Sequence, residues 1–263
     1  MNKREWTKNW SGLHTRFVIA ATRLFSAETR DVINYAVVAL ISLCTLGVSS
    51  QQAAAQAYVQ GNSATPPTPQ MTVTVPYNAA QTTGNLNLVI VGWNDTTAQI
   101  SSVTDSKGNS YSLAVGPTKL STVNGEPLSQ SIYYAKNIAT ANGGANGVTV
   151  TFTAPAVYPD IRVLEYSGVN PVNPLDVVVG ASGNSATSNS GAVTTTNATD
   201  LLVGANTVYT STNGAGSGFT LRLNTPNGDI VEDRVVMLAG SYSAGAPLSN
   251  PGGWVMQMVA LHP

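Results

Sequence analysis

From residue 71 onward the chain alternates between short apolar stretches and clusters of Gly, Asn, Pro and Asp. The stretches are rich in Val, Ile, Thr and Tyr, side chains that suit a pleated, half-buried surface. They predict strands over 71–76, 86–93, 99–104, 110–115, 130–138, 147–153, 160–167, 174–180, 191–196, 201–209, 218–223, 230–239 and 253–261. No window after residue 57 places apolar residues at helical spacing among good helix formers.

Two kinds of strand are distinguishable. In the first, two sets of residues alternate cleanly: Trp254, Met256 and Met258 point to one side and Val255, Gln257 and Val259 to the other, and Thr149 and Thr151 alternate with Val148, Val150 and Phe152. In the second, both faces are apolar. Leu86, Leu88 and Ile90 oppose Val89, Val91 and Trp93, which predicts a central strand covered on both sides, and Leu201-Leu202-Val203 reads as its counterpart. The fold class is therefore all-β, expected as a two-sheet antiparallel β-sandwich of jelly-roll type over 71–263; two smaller sandwiches in tandem also fit the length. The order of apolar strand, Gly-bearing hairpin, mixed strand and apolar strand occurs in 86–153 and again in 201–261, suggesting a duplication. Asp105-Ser106-Lys107-Gly108-Asn109 would then match Pro226-Asn227-Gly228-Asp229.

The first 57 residues follow a different pattern. An uncharged apolar run, residues 33–48, follows Arg30 and Asp31 and leads to Ala55-Gln56-Ala57, the small-x-small pattern of a signal-peptidase site. Residues 1–57 are read as a signal peptide with a hydrophobic signal helix, cut after Ala57, or else as an uncleaved N-terminal anchor. Cys44 lies inside the run after Leu43, where a lipoprotein would need a small residue, and reads as an ordinary apolar position. Residues 58–70, rich in Pro and Thr, form a linker or a first edge segment.

Charge narrows the function classes. Of 12 Lys and Arg, six lie in the first 57 residues; the remainder of the chain carries six bases, ten acids, no Cys and His262 alone. Such a domain lacks the basic face that phosphate contacts need, so nucleic acid is excluded as a partner. It is neither a disulfide scaffold nor a Cys/His zinc site. A Ser-His-Asp triad would have to be built on His262, next to the C-terminal Pro263. No Gly-x-Ser-x-Gly turn or phosphate loop occurs.

The remaining polar clusters each have two readings. Asp105–Asn109 reads as a turn closed by Gly108, with a calcium loop as the alternative. Asp229, Glu232 and Asp233 are the densest acids. Glu232 and Arg234 share a strand face, which suggests surface ion pairing, while Asp233 points the other way and needs a partner or a cation; the three are the candidate metal ligands. Glu165 shares its face with Ile161 and Val163 and is expected to be satisfied by hydrogen bonds or by Lys136 or Arg234; lining a cleft, it would contact ligand. Outward Tyr134, Tyr166, Tyr209 or Tyr242 on one sheet face would stack on sugar rings. Asn94-Asp95-Thr96 and Asn197-Ala198-Thr199 match glycosylation sequons.

Gly92-Trp93-Asn94-Asp95, Val103-Thr104-Asp105-Ser106-Lys107-Gly108-Asn109-Ser110-Tyr111, Ser131-Ile132-Tyr133-Tyr134-Ala135-Lys136-Asn137, Leu164-Glu165-Tyr166-Ser167-Gly168 and Gly252-Gly253-Trp254-Val255-Met256-Gln257-Met258 occur in this order. Together they resemble a β-sandwich module recurrent in secreted bacterial proteins, where it often stands beside fibronectin type III or immunoglobulin-like repeats. The resemblance implies fold and export and carries no catalytic residue across. The expected function is a non-enzymatic binding or adhesion module, secreted or at the cell surface. The alternatives are a carbohydrate-binding or carbohydrate-active jelly roll with structural calcium, and an assembly subunit pairing through the 58–76 edge. Expected partners are a polysaccharide or another surface protein, with a membrane only through an uncleaved leader. No cofactor is required in this reading, and calcium is the one candidate.

Overall fold

The computed structural model describes residues 55–121 and 127–263, all of them within one compact unit. The leader, its apolar run and Cys44 lie outside the described residues. The first eight strands are β1 (Ala57–Ala64), β2 (Gln70–Pro76), β3 (Leu86–Trp93), β4 (Ile100–Asp105), β5 (Ser112–Leu120), β6 (Leu128–Ala135), β7 (Gly147–Ala156) and β8 (Asp160–Ser167). They are followed by β9 (Leu175–Asn189), β10 (Val193–Thr194), β11 (Asp200–Val208), β12 (Thr220–Asn224), β13 (Ile230–Val236), β14 (Ser241–Tyr242) and β15 (Gly245–Leu261). The all-β class is as expected, every strand pair is antiparallel, and the described residues include no helix.

The strands form two five-stranded central sheets, β1-β8-β3-β6-β5 and β12-β13-β11-β15-β9, with a three-stranded cover β2-β7-β4 and a ribbon β10-β14. Side-chain alternation dictates how these stack. On β3, Val89, Val91 and Trp93 meet Val73, Val75, Val148, Val150 and Phe152 of the cover, while Leu86, Leu88 and Ile90 meet Leu201, Val203 and Val259 of the second central sheet. On β11, Leu202 and Val208 face away into a third cluster with Trp254, Met256, Met258, Val193 and Tyr242. Both strands expected to be doubly covered are so. The expectation of two sheets gives way to a stack, because each apolar face of a central sheet needs its own cover.

Reading the order of pairing shows a repeat. β1 pairs β8, β2 pairs β7 and β3 pairs β6; β9 pairs β15, β10 pairs β14 and β11 pairs β13. Each half is thus a nested set of hairpins, and each central sheet runs first strand, last strand, third strand. β4 has no counterpart. The loop match expected from sequence shifts, because 105–109 joins β4 to β5 whereas 226–229 joins β12 to β13, which correspond to β5 and β6. The sheets stack with β5 beside β9 and β1 beside β12. Exchanging the two halves preserves those neighbours, so the stack has the form of an internal, approximately two-fold pair.

Candidate functional site

The densest polar constellation lies between the two central sheets. Arg162 on β8 is fully buried. Its Nη1 donates to the carbonyls of Asn206 (2.6 Å) and Ile230 (2.9 Å), and its Nη2 to Gln130 Oε1 (3.3 Å) and Thr207 Oγ1 (3.2 Å). Asp160 Oδ1 stands 3.0 Å from its Nε, an ion contact whose N–H direction misses the oxygen, and Asp229 Oδ2 stands 3.9 Å from Nη2. Thr225 Oγ1 donates to Asp160 (2.6 Å) and the Val208 N–H to Asp229 (2.8 Å). Burial and then the nearby Asp160 push the Asp229 carboxyl well up, with Arg162 pulling against them. Gln257 extends the network by donating to the Gln130 carbonyl and to Thr118 Oγ1.

Glycine makes this seam possible. A Cβ on Gly92 would stand 2.3 Å from Thr207 Oγ1 and 3.0 Å from Arg162 Nη2. The sheets come that close only because position 92 has no side chain. Arg162, Asp160, Asp229 and Gln130 are all sealed from solvent, so the seam joins the two halves from within. The Asp160-x-Arg162 spacing, which puts both on one strand face, was the available sequence signal; nothing in the sequence pointed to Asp229 as the third member.

Glu165 and Tyr166, expected as ligand contacts, are both fully buried. Glu165 accepts from Asn85 Nδ2 (2.6 Å), Gln60 Nε2 (2.7 Å) and the Thr82 N–H (3.2 Å), so hydrogen bonds satisfy it as expected, with neither Lys136 nor Arg234 involved. Tyr166 donates to Asp233 (3.1 Å) and meets the Tyr58 ring edge-on. Tyr134 is half-buried against the inner core, and Tyr242 sits on the ribbon, donating to the Leu238 carbonyl (2.8 Å). The expected ligand contacts Tyr134, Tyr166, Glu165 and Tyr242 therefore do not form one platform. Their residues alternate across different sheets, and burial removes two of them from solvent.

The three expected metal ligands diverge as well. Asp229 belongs to the Arg162 seam, Asp233 pairs with Arg222 (2.8 Å), and Glu232 accepts the Gly216 N–H (2.6 Å). Glu232 is fully buried and forms no ion pair with Arg234, correcting the surface reading; Arg234 instead lies 5.9 Å over the Tyr242 ring. Among the described residues, no three His, Cys, Asp or Glu side chains gather at one point. Burial pushes Glu232 up to about 7 from an ordinary 4.5, against the pull of the Gly216 and Gly245 N–H groups. A raised folded-state value stabilises fully below the unfolded value, and that contribution is lost as pH rises through the folded one. The loss between 4.5 and about 7 is on the order of 3 kcal/mol. Wild type should therefore melt at progressively lower temperature across this range, and Glu232→Gln should flatten the decline; an equal slope in the variant would refute the assignment.

Two further corners contrast with each other. Asp105 accepts from the Lys107 and Asn109 N–H groups through Oδ1, and from Asn109, Asn146 and Tyr111 side chains through Oδ2. With Gly108 at φ 74°, this is the expected turn, saturated by donors. At the start of β11, Asp200 is fully buried and neither of its carboxylate oxygens has a hydrogen-bond partner. Burial and then the adjacent Asp176 carboxylate push it up to about 6. Asp176, on β9, accepts from the Thr196 N–H (2.8 Å) and Thr196 Oγ1; burial works against its ionisation, yet these donors hold it below the usual carboxylate range. Sequence reasoning passed over this pair because the two residues come from separate strands.

Comparison with protein-family models, with characterised proteins and with solved structures finds no match to the chain.

Proposed function

We propose that the protein is a non-enzymatic binding or adhesion module, exported and secreted or held at the cell surface, that recognises a partner through its outer surface. The observation that carries this reading is the distribution of exposed and sealed chemistry. The Arg162 seam and the Glu165 and Glu232 carboxylates are inaccessible, whereas large apolar side chains are exposed around the β13–β14 connection. Val235, Met237 and Leu238 are 43%, 69% and 73% exposed there, beside Arg234 and Tyr242. An apolar tip rimmed by a cation and a phenol suits a polysaccharide or another surface protein.

On this reading the leader is a signal peptide, or an anchor that alone would contact a membrane, and no cofactor is required for recognition. The jelly-roll assignment belongs to the same proposal and draws on the nested pairing of β1–β8. So does membership of the secreted bacterial module that the motifs resemble. A second reading, assembly through strand pairing, is favoured by β1 and β2, each hydrogen-bonded along one side only. Glycan-array binding by the full chain, in calcium and in chelator, tests the leading reading. Saturable binding that weakens in Leu238→Ser supports it; binding unchanged by that variant, or cleavage of the bound glycan, overturns it. Silence on every glycan in both conditions eliminates sugar as the ligand class.

A further inference from the structure

We propose that the Asp176–Asp200 corner of the second central sheet is a calcium site, with Asp176, Asp200 and the Asn197 side chain as protein ligands. Asp200 enters from β11, Asp176 from the neighbouring end of β9, and Asn197 from the loop that precedes β11; the Asn197 amide approaches both carboxylates. Two carboxylates, with the Asn197 amide turned so that its oxygen replaces the N–H now facing them, are a hard donor set suited to calcium, which tolerates irregular oxygen cages completed by water.

The observation that points to a ligand is the Asp200 carboxylate itself. Among the described residues it is the one carboxylate with both oxygens buried and unpartnered. Buried polar groups in folded proteins have partners, and an orphaned charged one needs an explanation. Here the neighbour is a second carboxylate, so the local electrostatics worsen the deficit instead of relieving it. His262, next along the chain from the residue that pairs with Leu201, is the nearby basic group.

The internal repeat supplies the comparison. In the first half, Asn87 pairs with Glu165 across β3 and β8; in the second, Asp200 begins β11 beside the end of β15. The first corner holds a single carboxylate, Glu165, with an amide donor from Gln60, another from Asn85 and a backbone donor from Thr82. Its Asn87 is neutral and bonded to Gln81 and Tyr111. The second corner holds two carboxylates; Thr196 donates twice to Asp176, and the one amide nearby, that of Asn197, is shared between both acids. One half thus balances its corner with amides, while the other lacks a positive charge that a divalent cation would supply.

The rival occupant is a proton shared between the carboxylates. Calorimetric titration of the full chain with calcium chloride at pH 7.5, after chelator treatment, separates the two. We expect one calcium per chain with a dissociation constant of about 0.1–1 mM, the range of extracellular calcium modules, and a calcium-dependent rise in melting temperature. Asp200→Asn should weaken binding by about tenfold or more and, in chelator, melt no lower than wild type because the repulsion is gone. Asp176→Asn, at a less buried position, serves as the second variant and should also weaken binding. No heat and no melting shift up to about 10 mM calcium, beyond the range of such modules, would establish the shared proton and overturn the proposal. Binding that survives both substitutions would overturn it equally.

Discussion

Arg162→Met is expected to lower stability by about 3–5 kcal/mol, the cost of leaving buried charges without their partner. The substitution keeps an unbranched side chain of similar length, so the loss comes from Asp160 and Asp229, which remain sealed beside an apolar group. Four hydrogen bonds to Asn206, Ile230, Gln130 and Thr207 go with it. Against a total of about 5–15 kcal/mol for a typical domain, this is enough to leave much of the protein unfolded. Arg162→Lys should rescue only in part, since an ammonium cannot reproduce the planar fork that reaches two carbonyls and two side-chain oxygens together. Adding Asp160→Asn and Asp229→Asn to Arg162→Met should restore part of the loss by removing the orphaned charges. Urea denaturation midpoints measure the series; a triple variant no more stable than Arg162→Met would show that the carboxylates are not the source of the penalty.

Trp93→Ala should cost about 3–5 kcal/mol by a different mechanism, the cavity left when a large buried side chain is truncated. Trp93 is almost wholly buried and sits edge-on to Phe152 at 5.7 Å, joining the first central sheet to its cover. Its indole N–H has no partner. Trp93→Phe should therefore cost distinctly less than Trp93→Ala, because most of the packing is retained and an unpaired donor is removed. Equal losses in the two variants, read from the same denaturation curves, would contradict this packing argument.

How far these features were legible depended on the faces each strand presents. Strands 86–93 and 160–167 were placed to the residue, since turn residues bound them and their apolar positions mark both faces. β1, with Gln60, Gly61, Asn62 and Ser63, has no apolar alternation to read because it is an edge strand, and sequence left it open between linker and edge. For β9 the expected 174–180 is only the apolar beginning; the polar tail to Asn189 is held in the sheet by backbone pairing with β15. Alternation says that a face is covered and not which sheet covers it, so the doubly covered strands were visible while the stack was not. The site expectations for Glu165, Tyr166 and Glu232 depended on which polar side chains point inward. Orientation along a strand was readable for Arg162 and Glu165, whereas partners arriving from another strand, such as Asp229 for Arg162 and Asp176 for Asp200, were not.

The Arg162 seam holds the two repeated halves together as one sealed body. Amide hydrogen exchange of the full chain tests it most directly. If the seam is closed, the amides of β3, β8, β11 and β15 exchange only through global unfolding, with one shared free energy that falls together in Arg162→Met. Seam amides that exchange through a smaller opening than the rest of the central sheets, or halves that exchange with separate free energies, would contradict it.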